Sequence, residues 1–333
     1  FVLDNIGVPF WLTVPSMVVL IWLYTRKGGI KTLVWTDTFQ TLCMFAALLL
    51  IIYKVTGQLG MTPTEAIAAI SQDEHSRIFV FDDWVSRQNF WKQFLSGIFV
   101  VIVMTGLDQD MMQKNLTCKT LREAQKDMCS YGFAFVPANL LFLSLGVLLM
   151  MLAKSQGMAL PEKPDDLLPM FAASGALGSM VTVFFTIGVV AASFSSADSA
   201  LTALTTSVCV DIFGRDEDED LRKKVHLAVA LVFMLFIIGF GAINSTSVID
   251  AIYILCSYTY GPLLGLFAFG LMTHRKVNDR WVPWICIASP LICYAIDTLT
   301  MQLTGYKFGY ELLMLNGALT FAGLALSGIG QKH

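Results

Sequence analysis

Between Ala191 and Ser199 the chain reads AASFSSADS, an aspartate and four hydroxyls within an apolar stretch long enough to cross a membrane. A carboxylate at bilayer depth costs about 2.5–3.5 kcal/mol even on lenient insertion scales, so a residue of this kind is expected to serve a function. Helical spacing puts Ala192, Ser195, Ser196 and Ser199 at i, i+3, i+4 and i+7 on one face, with Asp198 beside them. A stripe of small oxygen-bearing side chains is what a hard cation such as sodium requires. Small residues also let helices approach closely, a competing use of the serines that leaves Asp198 unexplained.

Two other segments interrupt apolar runs. In Trp35-Thr36-Asp37-Thr38-Phe39-Gln40, Asp37 either lies at an interface near a helix N-terminus, where negative charge is favourable, or reaches sideways to the hydroxyl stripe. In Met104-Thr105-Gly106-Leu107-Asp108-Gln109, the residues Thr105, Gly106, Asp108 and Gln109 continue a lipid-facing helix poorly. A helix broken at mid-membrane frees backbone groups to coordinate ions and solutes. The alternative is a packed glycine, with Asp108 and Gln109 emerging into cytosol. Asp211, Asp250 and Asp297 lie nearer the ends of apolar runs and read as caps or snorkelling groups. Tyr258 and Tyr260, before Gly261-Pro262, read as packing residues that could also line a pathway.

The elements that must hold these residues follow from composition. Hydrophobic residues are 56% of the 333 and charged residues 14%, against roughly 25% charge in soluble domains, and mean hydropathy is +0.66. Such a chain is expected to be a polytopic, all-α membrane helix bundle, multi-pass in a plasma membrane, by expectation a bacterial inner membrane. The lipid bilayer is its first partner. A net charge of −3 offers no basic surface for nucleic acid. Seven dispersed cysteines form neither a disulfide framework nor a zinc pattern. The four histidines read as solvated or interfacial. No nucleophile–base pair lies in the apolar runs, so catalytic residues and organic cofactors are not expected.

Apolar runs near the ~20 residues that span a bilayer occur about nine times, at 8–25, 33–55, 92–113, 128–153, 175–213, 226–243, 248–272, 281–303 and 309–330. The fifth exceeds one straight crossing, so a re-entrant or interfacial lead-in is expected at 168–178. With the N-terminus outside, most basic residues fall on inside segments, among them Arg26, Lys27, Lys114, Lys119, Arg222, Lys223, Arg275 and Arg280, as the positive-inside rule demands. The 57–91 loop carries Thr62-Pro63-Thr64-Glu65 ahead of AIAAI, the signature of a capped surface helix. The acidic run 215–220 reads as a solvated linker, and Asn244-Ser245-Thr246 as a sequon close to the membrane on an outside turn. Residues 1–333 are read as one transmembrane transporter domain, a fragment of a longer protein.

Four ordered segments resemble motifs of the sodium:solute symporter family. They are Gly28-Gly29-Ile30-Lys31 leading to Val34-Trp35-Thr36-Asp37 and Gln40; Gly106-Leu107-Asp108-Gln109 with Gln113-Lys114 and Leu121-Arg122-Glu123; Ser195-Ser196-Ala197-Asp198-Ser199; and Gly261-Pro262-Leu263-Leu264-Gly265. That family includes carriers of sugars, inositol, sialic acid, proline, vitamins and monocarboxylates. The resemblance implies a leucine-transporter-type inverted repeat, with the opening spans of the first repeat missing here. It implies a sodium site at Ala192, Ser195 and Ser196, and a possible second sodium site at Asp37, Asp198 and Ser199 with Ser195. Solute would bind near the break at Thr105, Gly106, Asp108 and Gln109. The sugar carriers have asparagine and aromatic residues before that break, where this chain has Val101, Val103 and Met104, so a copied sugar pocket is not implied. The expected function is sodium-coupled symport of a small organic solute by alternating access, with sodium as coupling ion. The alternative is a transporter-like membrane sensor domain of a signalling protein.

Overall fold

A backbone in lipid must satisfy its own polar groups, and a helix does so within one segment. The computed structural model describes residues 9–25, 30–86, 88–215, 217–243 and 248–328, and every regular element among them is helical. The helices are α1 (Phe10–Thr25), α2 (Ile30–Gln58), α3 (Pro63–Gln72), α4 (Phe90–Gly106), α5 (Gln109–Asn115) and α6 (Leu121–Ser155). They continue with α7 (Leu167–Ala172), α8 (Ser179–Ser207), α9 (Glu219–Ile243), α10 (Val248–Met272), α11 (Val282–Thr304) and α12 (Leu312–Ser327). Among the described residues, six helices are long and apolar enough to cross a membrane, and a seventh if the bent pair α4–α5 counts as one span. Two shorter apolar helices, α1 and α12, bring every expected run onto a helix. Gly28, Gly29, the Asn244-Ser245-Thr246 sequon and the last five residues lie outside the described residues, as do the side chains of Lys31, Val34, Trp35, Thr36 and Asp250.

Local chemistry sets several boundaries. Thr62 caps α3: its hydroxyl accepts from the Glu65 N–H at 3.4 Å, and its own N–H donates to the Glu65 carboxylate at 2.8 Å, with Pro63 at the first helical position. This is the expected capping box. The lead-in to the fifth span is α7, separated from α8 by a turn in which Gly175 and Gly178 take φ of 81° and 97°. A side chain would be strained at those angles, so α8 starts there. Beyond Ser207 the helix continues through a wide π turn, Val208–Ile212. The run from Ser179 to Ile212 is therefore continuous, and the excess length is absorbed at its end rather than by a break within it.

The chain divides into two compact units, Phe1–Ser76 with Gln113–Ser247, and Arg77–Met112 with Val248–His333. In the first, Leu48, Ile51 and Val55 of α2 pack with Leu145, Leu148 and Leu152 of α6, Phe171 of α7, and Val181 and Phe185 of α8. A second cluster joins Val14, Val18 and Ile21 of α1 to Leu201 of α8 and Ala230 of α9. Large side chains on the opposite helix faces, such as Phe39, Phe133 and Leu271, are exposed, as lipid-facing positions are.

In the second unit α10 and α12 approach closely. A Cβ on Gly261 would overlap the Asn316 side chain, and one on Gly265 would meet the Gly317 carbonyl and Thr320. Close approach through small residues is a common means of holding helices together in lipid, where water exclusion contributes little. Asn316, fully buried, donates to the carbonyls of Ser257 at 3.0 Å and Tyr258 at 2.9 Å. Pro262 lacks the N–H that would normally reach the Tyr258 carbonyl four residues back, so Asn316 supplies the missing donor from another helix. Ser289 of α11 completes the cluster, donating to the Asn316 side-chain oxygen and lying 2.8 Å from the Thr320 hydroxyl.

Candidate functional site

Asp37 stands in the second turn of the described part of α2, and Ser195 in the middle of α8. The two helices pack along much of their length, and the Ser195 hydroxyl donates to Asp37 Oδ1. The other carboxylate oxygen, Oδ2, lies 3.2 Å from Lys114 Nζ at the end of α5. Of the two sequence alternatives for Asp37, the sideways reach to the hydroxyl stripe is the one observed.

Around Ser195 the helix buries one sector. Asp198 is 1% exposed and Ser199 fully buried, and the Ser199 hydroxyl has no hydrogen-bond partner among the described residues. Ser196 is exposed and Ala192 half-buried. At 100° per residue the four stripe positions span a wide arc, with Ser195 and Ser196 at opposite edges. The buried sector is centred on Ser195, Asp198 and Ser199, so Ser196 falls outside it. Ala192 instead borders a cavity of about 180 Å³ shared with Met44, Ala47, Leu48, Phe185 and Gly188. The structure thus brings Asp37 to Ser195 and buries Asp198 and Ser199 on α8, while Ser196 faces outward.

The break expected near Gly106 is present. Helices α4 and α5 meet at 61° across Leu107–Asp108. Among the described residues a Cβ on Gly106 would meet nothing, so the close contact that the packed-glycine alternative calls for is not found among them. Asp108 explains the new helix start: Oδ1 accepts from the backbone N–H of Asp110 at 2.9 Å and of Met111 at 3.4 Å, an N-cap arrangement. Its Oδ2 accepts from the Tyr260 hydroxyl of α10 at 3.0 Å. Thr105 and Gly106 are half-buried in the last turn of α4, where carbonyls lack intrahelical donors, and Gln109 is exposed.

Three polar contacts escaped the sequence reading. Lys114 reads as one of several cytosolic basic residues, and only the approach of α5 to α2 reveals its carboxylate partner. Tyr260 reads as packing because nothing local points it to Asp108. His226 corrects the reading of all four histidines as solvated or interfacial. It is 7% exposed and lies between the Thr25 hydroxyl, 3.0 Å from Nε2, and the Thr205 hydroxyl, 3.1 Å from Nδ1. Its neighbours Arg222, Lys223 and Lys224 disguise it as surface, and the packing of α1 and α8 on α9 buries it.

With this geometry in view, residues 1–280 match the model of the sodium:solute symporter family. The chain belongs to that family. Relatives within it include the rabbit (Oryctolagus cuniculus) sodium-dependent multivitamin transporter, 26% identical over 278 residues, covering 80% of this chain and 43% of the relative. The human sodium/iodide cotransporter is 30% identical over 122 residues, 36% of this chain and 18% of the relative. The mouse (Mus musculus) sodium-coupled monocarboxylate transporter 2 is 25% identical, covering 80% of this chain and 44% of the relative. The chain spans less than half the length of these curated relatives. Among solved structures, a substrate-bound, outward-open Na⁺-coupled sialic acid symporter, described as revealing a novel Na⁺ site, superposes with a TM-score of 0.70 at 18% identity, over 95% of this chain and 66% of that one. The symporter family therefore supplies the fold, a leucine-transporter-type helical membrane architecture. Its members are transporters rather than enzymes, and this chain is a multi-pass membrane protein.

Proposed function

We propose that this chain forms part of a sodium-coupled symporter that moves a small organic solute by alternating access. The observation that carries the reading is the Asp37–Ser195 contact, a half-buried carboxylate joined to a hydroxyl on another span, beside Asp198 and Ser199 that lipid-facing helices have no reason to bury. Oxygen donors of this kind, two of them carboxylates, suit a desolvated sodium ion. In this reading Ala192 (through its carbonyl), Ser195 and Ser196 serve a first sodium ion, and Asp37, Asp198 and Ser199 with Ser195 a second. The exposed Ser196 acquires its role only if a further segment of the complete protein covers that face of α8.

The solute is assigned to the break, near Thr105, Gly106, Asp108 and Gln109, because interrupted helices offer unpaired backbone groups at mid-membrane. Named relatives carry vitamins, iodide, monocarboxylates and sialic acid. For this chain the proposal is confined to the sugar, sialic acid and carboxylate classes. Sodium favours the outward-facing state, solute joins it, and both leave after the helices rock inward. Binding is reciprocal: if sodium raises solute affinity tenfold, about 1.4 kcal/mol links the two sites.

Uptake by the full-length protein in proteoliposomes tests this, with an inward sodium gradient and a panel of sugars, sialic acid and carboxylates. One class is expected to accumulate only with sodium. Ser195→Ala and Ser196→Ala should each raise half-saturating sodium about tenfold, and Asp37→Asn should lower the sodium-to-solute ratio. Uptake indifferent to the sodium gradient would reject the function, and an unchanged ratio in Asp37→Asn would reject the second site.

A further inference from the structure

The Asp37 carboxylate already has a cation beside it. Its Oδ1 takes the Ser195 hydroxyl, and its Oδ2 lies 3.2 Å from Lys114 Nζ, with the two side chains 26% and 28% exposed. We propose that Lys114 is a tethered counter-cation for Asp37, and that a sodium ion reaches the Asp37–Ser195 position only by displacing the lysine ammonium. The inference rests on the reading of Asp37 as a cation ligand and adds the group against which sodium must compete.

Charge accounting supports exchange over addition. A half-buried carboxylate is stable only when compensated, and among the described residues the ion pair found for Asp37 is the one with Lys114. A sodium ion placed on the same carboxylate, with the ammonium still at hydrogen-bond distance, would put two positive charges within a few ångströms in a poorly solvated place. That repulsion far exceeds thermal energy. The contest is for the Asp37 carboxylate itself, one cation or the other occupying it, while Asp198 adds negative charge to the site whichever is bound.

Lysine suits this role. Its charge is a compact point on a flexible four-carbon stem, whereas an arginine fork would bind both carboxylate oxygens and hold them. The anchor of the stem is defined. Lys114 is in the last turn of α5, and its carbonyl accepts from the Thr117 N–H at 3.1 Å and the Thr117 hydroxyl at 2.7 Å. The side chain can swing while its Cα stays in place. Lys114 also follows Asp108 by only six residues, so the group released by sodium is carried on the short helix that begins at the break.

The test is sodium binding to the purified full-length protein, measured with radioactive sodium and by sodium-dependent thermal stabilisation in detergent. Lys114→Gln removes the competing charge and should lower half-saturating sodium about tenfold. Lys114→Arg retains the charge and should leave affinity unchanged or weaker. The gain should vanish in Lys114→Gln/Asp37→Asn, which has no carboxylate to unmask. An unchanged or weakened sodium affinity in Lys114→Gln overturns the proposal, and Lys114→Met replaces it if the glutamine variant does not fold. If Asp37→Asn alone weakens sodium binding while Lys114→Gln does not strengthen it, the counter-cation role fails and the second site stands. If Asp37→Asn leaves sodium binding as in the wild type, both fail together.

Discussion

Replacing Gly261 with alanine isolates the contact on which the second unit depends. The new Cβ would occupy the space of the Asn316 carboxamide and its Cβ. Asn316 cannot swing aside cheaply, because its amide is committed to the Ser257 and Tyr258 carbonyls and its side-chain oxygen to Ser289. Overpacking of this kind costs about 1–3 kcal/mol. Asn316→Ala makes the opposite error. It leaves the Tyr258 carbonyl, already deprived of a donor by Pro262, unpaired in a buried place at a cost of about 1–3 kcal/mol. Interhelical hydrogen bonds in membranes average nearer 0.6 kcal/mol, so the lower half of that range is expected. The two changes are not independent, since Asn316→Ala removes the carboxamide that the Gly261→Ala methyl would meet, while the Cβ at position 316 that it would also meet remains. The cost of the double variant should therefore fall below the sum of the single costs by about 1 kcal/mol. Unfolding of the full-length protein in mixed micelles titrated with sodium dodecyl sulfate measures all four forms. Strictly additive costs, or a Gly261→Ala variant as stable as wild type, would refute the close approach of α10 to α12.

Tyr260→Phe removes one donor from Asp108 but leaves its two backbone N–H partners. A loss of about 0.5–1.5 kcal/mol should appear in the solute KM of uptake assays and leave half-saturating sodium unchanged; a shift in sodium dependence alone would contradict the placement of Tyr260. At the start of α3, hydrogen bonds from the Thr62 backbone and hydroxyl hold the Glu65 carboxyl below its ordinary 4.5. Because the folded pKa is depressed, the cap is fully present above the unfolded value and is lost as pH falls through the folded one. The protection of the Glu65 and Ala66 amides, exchange taken relative to an unstructured chain at the same pH, should fall on acidification in that window, and Thr62→Ala should show the low protection at neutral pH. A protected amide in Thr62→Ala would show that the capping box does not hold the helix start.

Much of the architecture was legible because lipid enforces it residue by residue. A span needs about 20 apolar residues in succession, and that count needs no tertiary information, so every expected run falls on a helix. The Thr62–Glu65 box was readable because it depends on residues a turn apart, and the lead-in to α8 because the fifth run exceeds one crossing, whereas the interruption after Gly106 stood as one of two readings until the structure decided between them. The polar residues buried in these spans also announced themselves, since lipid makes an idle carboxylate costly.

Pairing was another matter. That Asp37 meets Ser195 and Lys114, that Tyr260 meets Asp108, and that Asn316 relieves the carbonyl freed by Pro262 are all contacts between segments distant in the chain. Periodicity names the face on which a residue lies, but a stripe as wide as Ala192 to Ser199 offers two edges, and only the packing of α2 against α8 decides that Ser195 turns inward and Ser196 outward. His226 followed the same rule, its basic neighbours suggesting solvent while α1 and α8 enclosed it. Helix formation is a local free-energy question and was answered by composition; the choice of partner for each buried oxygen and cation is settled by which helices can approach, and that requires the folded chain.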